Sequence, residues 1–361
     1  MPPPPPEIAA IPVTLLVDLG SGQVLEQRRP DLSFVPASMT KVMTAYVAFE
    51  EMAAGRLAAN RQFTVAPATA KEWSGRGTSL DVVAGQRIST DTLLHGIATV
   101  SANDASVVLA EGYAGNVPAW SALMNQAAGK LGMANSRFAS PNGFPDGGAT
   151  YVSARDLTKL AQAMITRYPG LYHRYFGQKH MVWNGKVLAS HDPTVGVVPG
   201  ADGIKTGFTR EAGFNFLGSA ARGGRRLVMV VAGAKSADQR AAASRALLEW
   251  GFSAWKPRAL FAAHRPIAAA RVQGGDAREV PLIAASPVYA AVPHHGGAPI
   301  SLRVVYSGPI AAPIAKGAPI AQLEVRVGGM EPGRVPLYAG RAVEVAGPLD
   351  RIVNGVIGWM S

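Results

Sequence analysis

Two patterns of hydrophobic residues divide the first 250 positions of the chain. Apolar, β-prone runs at 11–18 and 24–28, joined by a glycine turn, predict a hairpin. Residues 51–130 have a mostly helical pattern, and 153–168 predicts a further amphipathic helix. Three strand-like runs and a helical stretch follow, at 204–210, 214–220, 227–232 and 237–250. This order predicts an α+β fold, with a mixed or antiparallel five-stranded sheet flanked by helices and a helical lobe.

The C-terminal part of the chain differs in composition from the rest. It is rich in Pro, Gly, Ala and Val and has short alternating runs, which is typical of a small all-β domain. We expect a flexible lead-in at 1–10, a main domain at 11–258, a β-rich domain at 262–348 and an amphipathic tail at 349–361. The apolar residues of the tail follow one helical face, so it is a candidate membrane anchor as readily as a helix docked on its own domain.

Composition and charge narrow the range of functions. The 361 residues include 48% hydrophobic and 16% charged ones, as in folded globular proteins. The absence of cysteine excludes disulfides, thiolate nucleophiles and cysteine-ligated metals. The net charge of +11 is spread without a dense Lys/Arg run, so we expect no nucleic-acid partner but a carboxylate-bearing ligand or an anionic surface. No apolar stretch is long enough to span a membrane.

The candidate chemistry begins with Ser38 and Lys41, at the predicted start of a helix. Residues at i and i+3 share a helical face, so the hydroxyl and the amine can come within hydrogen-bond reach. Apolar residues behind the pair predict that Lys41 is buried, and burial favours the neutral amine that a base requires. The spacing alone is weak, because a solvated first helical turn can show it too.

Two later motifs strengthen this hypothesis. Residues 101–103 (Ser-Ala-Asn) precede a helical stretch, and residues 205–207 (Lys-Thr-Gly) begin a strand. Alone, the first could be a helix N-cap turn and the second an exposed edge strand. Together with Ser-x-x-Lys, in this order and at spacings of about 60 and about 100 residues, they match the signature of serine enzymes that react with penicillin.

On these motifs the chain resembles a low-molecular-mass penicillin-binding protein of the D-alanyl-D-alanine carboxypeptidase type. Residues 36–46 (PASMTKVMTAY) are similar to the nucleophile helix of that family, and 203–216 (GIKTGFTREAGFNF) to its Lys-Thr-Gly strand. The resemblance covers residues 10–255 and implies the penicillin-binding or β-lactamase-like transpeptidase fold. It also implies a serine-type carboxypeptidase that removes the terminal D-Ala from peptidoglycan pentapeptide stems, needs no cofactor or metal, and is inhibited covalently by β-lactams.

The resemblance implies a role for each catalytic residue. Ser38 attacks the carbonyl carbon of the penultimate D-Ala, and Lys41 is the general base. Ser101 relays a proton toward the leaving D-Ala, and Asn103 binds the substrate amide. The backbone N–H of Ser38 supplies one donor of the oxyanion hole.

Further substrate contacts are implied on and near the Lys-Thr-Gly strand. Lys205 and Thr206 hold the terminal carboxylate, and Gly207 lets the substrate backbone approach closely. The backbone N–H of Phe208 supplies the second donor of the oxyanion hole. Arg240 resembles a family arginine near the carboxylate site.

Two positions depart from the family pattern. Ala102 stands where this group usually has Gly, and Phe208 replaces a common His. Since the role implied for Phe208 belongs to its backbone, we expect catalysis to survive, with a different pH dependence and substrate preference.

Related activities stay open. A class A β-lactamase uses a Glu between the second and third motifs to activate the deacylating water. Here Glu111 is the only Glu in that interval, inside the helix after the second motif, so we expect penicillin to be trapped more readily than hydrolysed. An endopeptidase that cuts cross-links and an inactive binder of cell-wall peptide are further candidates. No Gly-x-Ser-x-Gly or His-Glu-x-x-His motif supports a different hydrolase.

The expected partners are the stem peptide ending in D-Ala-D-Ala, β-lactams and, through 349–361, the membrane surface. The expected location is the periplasm or cell envelope, peripheral on the inner membrane if the tail binds there. The N-terminal Met and five prolines lack the charged and apolar regions of a secretory signal.

Overall fold

The computed structural model describes residues 1–295 and 297–347. They form two compact units. The larger unit comprises residues 3–17 and 26–252, and the smaller one comprises residues 1–2, 18–25 and the described chain from 253 onward. The tail predicted at 349–361 lies outside the described residues, and the domain boundaries given above stay predictions. Within the described chain, no helix has the length and hydropathy needed to cross a membrane.

The first 253 residues supply a central sheet and a helical lobe. Their α-helices are α1 (Lys41–Ala53), α2 (Pro67–Trp73), α3 (Thr90–His95), α4 (Asn103–Ala114), α5 (Val117–Lys130), α6 (Ala154–Arg167), α7 (Pro169–Tyr175) and α8 (Ala237–Ser253). Their strands are β1 (Val13–Asp18), β2 (Gln23–Arg28), β3 (Gln62–Thr64), β4 (Arg87–Ser89), β5 (His180–Trp183), β6 (Lys186–Ala189), β7 (Ala201–Thr209), β8 (Gly213–Arg222) and β9 (Arg225–Ala234).

The central sheet has the strand order β2-β1-β9-β8-β7, which confirms the predicted five-stranded sheet. β8 pairs antiparallel with β7 and with β9. β8 and β9 are longer than predicted because their pairing continues to Arg222 opposite Arg225. The turn between them contains only Gly223 and Gly224, both with positive φ, as a two-residue hairpin turn requires. β7 has a neighbour on one side, so it is an edge strand of this sheet.

The helical lobe contains more strand than the hydrophobic pattern predicted. Within 51–130, the short strands β3 and β4 pair antiparallel between helices, and β5 and β6 form a further hairpin. This hairpin was not predicted because side chains such as Val182 and Val187 are exposed, so the run lacks a buried apolar face. The helix predicted at 153–168 is confirmed as α6, and the hydroxyl of Ser153 caps its first turn.

The N-terminal lead-in, predicted to be flexible, has a 3₁₀ turn at Pro6–Ile8 with Ile8 buried. The guanidinium of Arg28 donates to the backbone oxygens of Ile8, Ala9 and Ile11, at 2.7, 2.7 and 2.9 Å. These long-range bonds give the segment an order that its proline-rich composition does not indicate.

The smaller unit is all-β, as predicted. Its strands are β10 (Trp255–Phe261), β11 (Pro266–Gln273), β12 (Glu279–Ile283), β13 (Val288–Pro293), β14 (Ile300–Val305), β15 (Ile310–Ala311), β16 (Pro319–Val327) and β17 (Gly333–Ala339). One sheet has the order β14-β16-β17-β12-β11-β15, and β10 pairs with β13. Alternate residues of β16, Leu323, Val325 and Val327, belong to its core. Gln23 also belongs to this unit: its side-chain amide accepts from Ala291 N at 2.7 Å and donates to Ala291 O at 3.2 Å.

Candidate active site

Ser38 lies on a short 3₁₀ turn, Ala37–Thr40, that continues directly into α1 at Lys41. The turn keeps the pair on one face, as predicted. Ser38 is half-buried, whereas every residue of α1 from Lys41 to Phe49 is buried. The apolar residues behind the pair therefore shield Lys41 from solvent, which confirms its predicted burial, and leave the serine partly accessible.

The amine of Lys41 has three oxygen neighbours. Its Nζ is 2.8 Å from Ser38 Oγ, 2.7 Å from Asn103 Oδ1 and 2.8 Å from the backbone oxygen of Asn142. A neutral amine has two N–H groups and one lone pair. The two carbonyl oxygens can only accept hydrogen bonds, so they take both N–H groups and leave the lone pair for the hydroxyl of Ser38. This geometry is the one that a base for the serine proton requires.

Electrostatics favour this neutral amine. Burial lowers the pKa of Lys41 well below its ordinary value, and the positive charge of Lys205 lowers it further. The carboxylate of Asp104 raises the pKa of Lys41 and so acts in the opposite direction. Asp104 is itself buried and accepts the N–H groups of Leu80 and Val82, which ties their loop to α4.

The second motif meets Lys41 through Asn103, the first residue of α4. Asn103 Oδ1 accepts from Lys41, and Asn103 Nδ2 donates to the backbone oxygen of Arg76 at 3.0 Å. Ser101 is buried two residues earlier, in a left-handed conformation with φ 69° that ends a π-helical turn. Ala102 occupies the N-cap position, and its methyl group cannot cap. The interpretation of Ser101 and Asn103 as a simple helix N-cap turn is therefore wrong.

The third motif lies on β7, which passes beside the turn that carries Ser38. A Cβ at Gly207 would overlap the backbone oxygen of Pro36, so this approach requires glycine. Lys205 and Thr206 are buried, and Lys205 Nζ donates to the backbone oxygen of Thr206 at 3.1 Å. The motif thus lies on an edge strand, but its side chains are not exposed.

Lys205 and Arg240 form the cationic side of the site. Burial lowers the pKa of Lys205 to about 7, Asp192 opposes this change, and the charge of Arg240 adds to it. Arg240, on α8, is buried, and its Nε has no hydrogen-bond partner within the described part of the chain. Burial also lowers the pKa of Arg240. The pKa of His191 is lowered by burial and, further, by the positive charges of Lys205 and Arg240. Two buried cations with spare donor capacity suit an anionic ligand.

Phe208 follows the motif on β7, and its side chain is about half-exposed. Its ring stacks on that of Phe214, its cross-strand partner, with 4.2 Å between centroids. The guanidinium carbon of Arg240 lies 5.9 Å from the centroid of the Phe214 ring. The ring of Phe208 is thus held by a cross-strand stack, and the role predicted for this residue depends on its backbone N–H.

Two backbone oxygens of the site were not predicted from the motifs. That of Asn142 accepts from Lys41, and that of Arg76 accepts from Asn103. Gly143, with φ +70°, packs so closely on the nucleophile turn that a Cβ would overlap its backbone. The dipeptide Asn-Gly is a turn signal in the sequence, but long-range packing decides which element the turn contacts.

The arrangement can perform acyl transfer: a half-buried hydroxyl faces an oriented amine, and two buried cations provide a place for a negative group. Among the described residues, no cluster of His, Asp and Glu has the geometry to hold a metal ion.

Two family models match the chain. One, described as D-alanyl-D-alanine carboxypeptidase, matches residues 2–236. The other, described as penicillin-binding protein 5, C-terminal domain, matches residues 255–345. Both matches agree with the resemblance that the motifs indicated.

Individual proteins give the same result. The D-alanyl-D-alanine carboxypeptidase DacA of Haemophilus influenzae is 30% identical over 360 residues, which cover 98% of this chain and 90% of that protein. Among solved structures, penicillin-binding protein 5 from Haemophilus influenzae matches with a TM-score of 0.78 and 28% identity, over 95% of this chain and 99% of that one. Penicillin-binding protein D2 from Listeria monocytogenes, solved in its ampicillin-bound form, matches with a TM-score of 0.61 and 28% identity, over 67% of this chain and 98% of that one.

Proposed function

We propose, since the chain belongs to the D-alanyl-D-alanine carboxypeptidase family, that it removes the terminal D-Ala from peptidoglycan pentapeptide stems through an acyl-enzyme on Ser38. The protein is a serine-type hydrolase with the fold of the penicillin-binding proteins. The observation that carries the proposal is the amine of Lys41, whose two carbonyl acceptors leave its lone pair for the Ser38 hydroxyl. β-Lactams would acylate the same oxygen.

Acylation uses four residues in this mechanism. Lys41 takes the proton of Ser38 as Oγ attacks the carbonyl carbon of the penultimate D-Ala. The backbone N–H groups of Ser38 and Phe208 stabilise the negative charge that develops on the carbonyl oxygen. Ser101 donates its proton to the nitrogen of the leaving D-Ala and receives in exchange the proton that Lys41 took from Ser38, and the amide bond breaks. Water then hydrolyses the ester and restores the serine.

Substrate binding uses the cationic side of the site and the second motif. Lys205, Thr206 and Arg240 bind the terminal carboxylate. This gives an acceptor to the Nε of Arg240, which has no hydrogen-bond partner among the residues that the structure describes. Gly207 leaves room for the substrate backbone. Asn103 has one Nδ2–H beyond its bond to the backbone, and this hydrogen is available to the substrate amide.

Trapping of penicillin is favoured over its hydrolysis. Glu111, the one Glu between the second and third motifs, accepts a hydrogen bond from Thr69 on α2 and so has a structural partner inside the helical lobe. A β-lactamase of this fold would need a base for the deacylating water. Slow deacylation of the penicilloyl ester follows.

The direct test of the activity is D-Ala release from L-Ala-γ-D-Glu-L-Lys-D-Ala-D-Ala. The wild-type protein and Ser33→Ala, a change at an exposed serine of the preceding loop, should both release D-Ala, and Ser38→Ala should not. Absence of release by the wild-type protein, or release by Ser38→Ala, would contradict the proposal. Faster cleavage of a cross-linked peptide dimer would favour an endopeptidase, and rapid turnover of penicillin a β-lactamase.

The proposal places the enzyme in the periplasm or cell envelope, where the substrate is, and assigns membrane attachment to residues 349–361. The support for attachment is the amphipathic pattern of that segment. Sedimentation with anionic liposomes of the chain with and without 349–361 tests it: loss of pelleting on truncation is expected, and equal pelleting would remove the idea.

A further inference from the structure

A partly exposed cluster of Trp73, Arg76 and Phe144 lies at the surface of the larger unit. The rings of Trp73 and Phe144 meet edge to face, with 5.4 Å between their centroids. The guanidinium carbon of Arg76 is 5.0 Å from the Trp73 centroid and 4.5 Å from the Phe144 centroid. These cation–π contacts hold the guanidinium in one place while the side chain of Arg76 stays 45% exposed.

Two loops join this cluster to the catalytic amine. The backbone oxygen of Arg76 accepts from Asn103 Nδ2 at 3.0 Å. The N–H of Phe144 donates to Asn142 Oδ1, also at 3.0 Å. Asn103 and Asn142 are the two residues whose oxygens accept from Lys41. The cluster therefore bridges the two segments that orient the base.

The proposed acylation brings one particular part of the substrate to this cluster. The terminal carboxylate binds Lys205, and the amide on the acyl side binds Asn103. Asn103 Nδ2 also contacts the Arg76 backbone, so a substrate amide bound by Asn103 would direct the residue that precedes D-Ala-D-Ala toward the cluster.

We propose that Arg76 binds a carboxylate at the end of the side chain of the residue that precedes D-Ala-D-Ala, an inference that rests on the proposed function. The flanking rings offer no hydrogen-bond acceptor, so the guanidinium keeps its N–H groups for a planar anion. Glu72 accepts from Arg76 Nη1 at 3.1 Å, but both side chains of this pair are exposed, 45% and 57%. Exposed pairs of this kind are weak. The described residues offer no acceptor to the other N–H groups of Arg76, which leaves these groups for the substrate carboxylate.

The test compares two substrates that differ only at the end of one side chain. N-acetyl-L-2-aminopimelyl-D-Ala-D-Ala carries a carboxylate there, and its side-chain amide does not. The measured quantity is kcat/KM for D-Ala release. The wild-type protein should prefer the acid by about tenfold, and this ratio should fall as salt is added. Arg76→Gln should bring the ratio close to one, and Glu72→Gln should raise it because a competing carboxylate is removed.

Arg56→Gln is the matched control. Arg56 is also exposed and paired with a nearby glutamate, Glu51. It follows the C-terminal end of α1, however, whereas Ser38 precedes the N-terminal end. The acid-to-amide ratio should keep its wild-type value in this variant. An unchanged ratio in Arg76→Gln, even with a lower rate on both peptides, overturns the inference while the proposed function stands. Absence of D-Ala release by the wild-type protein from both peptides overturns the proposed function and this inference together.

Discussion

At the scale of single residues, the proposed mechanism needs one lysine to be neutral and another to be charged. Lys41 is buried and lies near the positive charge of Lys205, and both features favour the free amine. Its two N–H groups can then donate to the two carbonyl oxygens beside it. Lys205 is also buried, but Asp192 raises its pKa and so helps to keep it protonated. In the proposed mechanism the two amines therefore have different roles: Lys41 takes a proton from Ser38, and Lys205 supplies positive charge to the substrate carboxylate.

The pKa of about 7 for Lys205 predicts an alkaline limb in the pH profile. Below pH 7 the free enzyme carries the charge on Lys205, and as the pH rises through 7 that charge is lost, so kcat/KM should fall by up to about tenfold per pH unit. Lys205→Arg keeps the charge at every pH and should remove this limb. The measurement is kcat/KM for D-Ala release from pH 5.5 to 9.5 (the range is roughly that of lysine and histidine titration in proteins), with Lys256→Arg as an exposed control. A limb near pH 7 that persists in Lys205→Arg would contradict this assignment.

At the scale of elements, the close approach of β7 to the turn of Ser38 brings the third motif to the first. Gly207 permits this approach, because a Cβ there would overlap the backbone oxygen of Pro36. The same reasoning applies to Gly143, whose loop packs on the other residues of the turn. The position of Ser38 therefore depends on Gly207 and Gly143, because the neighbouring backbone leaves no room for a side chain at either position.

Gly207→Ala should separate β7 from the nucleophile turn. We expect the penicillin acylation rate to fall by at least about tenfold and the unfolding free energy to fall by about 1–3 kcal/mol, since the added methyl overpacks a tight contact. Gly129→Ala, on helix α5, is the control, because no atom of the described residues, apart from its chain neighbours and the backbone of its own helix, lies within 4 Å of the Cβ that it adds. Alanine is neutral or stabilising at such a position. Acylation kinetics and thermal melting measure both variants, and a wild-type acylation rate in Gly207→Ala would show that the contact does not matter.

The elements also show how far the sequence alone could predict the site. The three motifs and the burial of Lys41 were predictable because a short pattern and the apolar helix behind it determine them. The backbone oxygens of Asn142 and Arg76 were not, since any residue supplies a backbone oxygen and only the path of its loop places it. The β5-β6 hairpin was not predicted because its exposed side chains give it no buried face, and so no alternation of apolar and polar residues in the sequence.

At the scale of the whole molecule, the chain combines the serine hydrolase unit with an all-β unit that has its own hydrophobic core. The end of the first hairpin belongs to the β unit, where Gln23 exchanges two hydrogen bonds with the backbone of Ala291. This pairing was not predicted, because it joins positions 268 residues apart in sequence.

Gln23→Ala should destabilise the protein without changing its chemistry. The N–H and C=O of Ala291 would lose their partners in a buried place, at a cost of about 1–3 kcal/mol in unfolding free energy. Gln27→Ala, at an exposed position of β2, the strand that also carries Gln23, should change the unfolding free energy by less than about 0.5 kcal/mol. Denaturant unfolding measures both, and the penicillin acylation rate at 25 °C (roughly the reference temperature of these energies) should stay at the wild-type value. Equal stabilities of the two variants would contradict the role given to Gln23.

Intact-mass spectrometry after incubation with benzylpenicillin is the decisive test of whether Ser38 is a nucleophile that a neutral Lys41 activates. We expect one covalent adduct per chain, which peptide digestion maps to Ser38. It should be absent in Ser38→Ala and form at least about 100-fold more slowly in Lys41→Gln. An adduct that persists in Ser38→Ala, or that forms at the wild-type rate in Lys41→Gln, would contradict this mechanism.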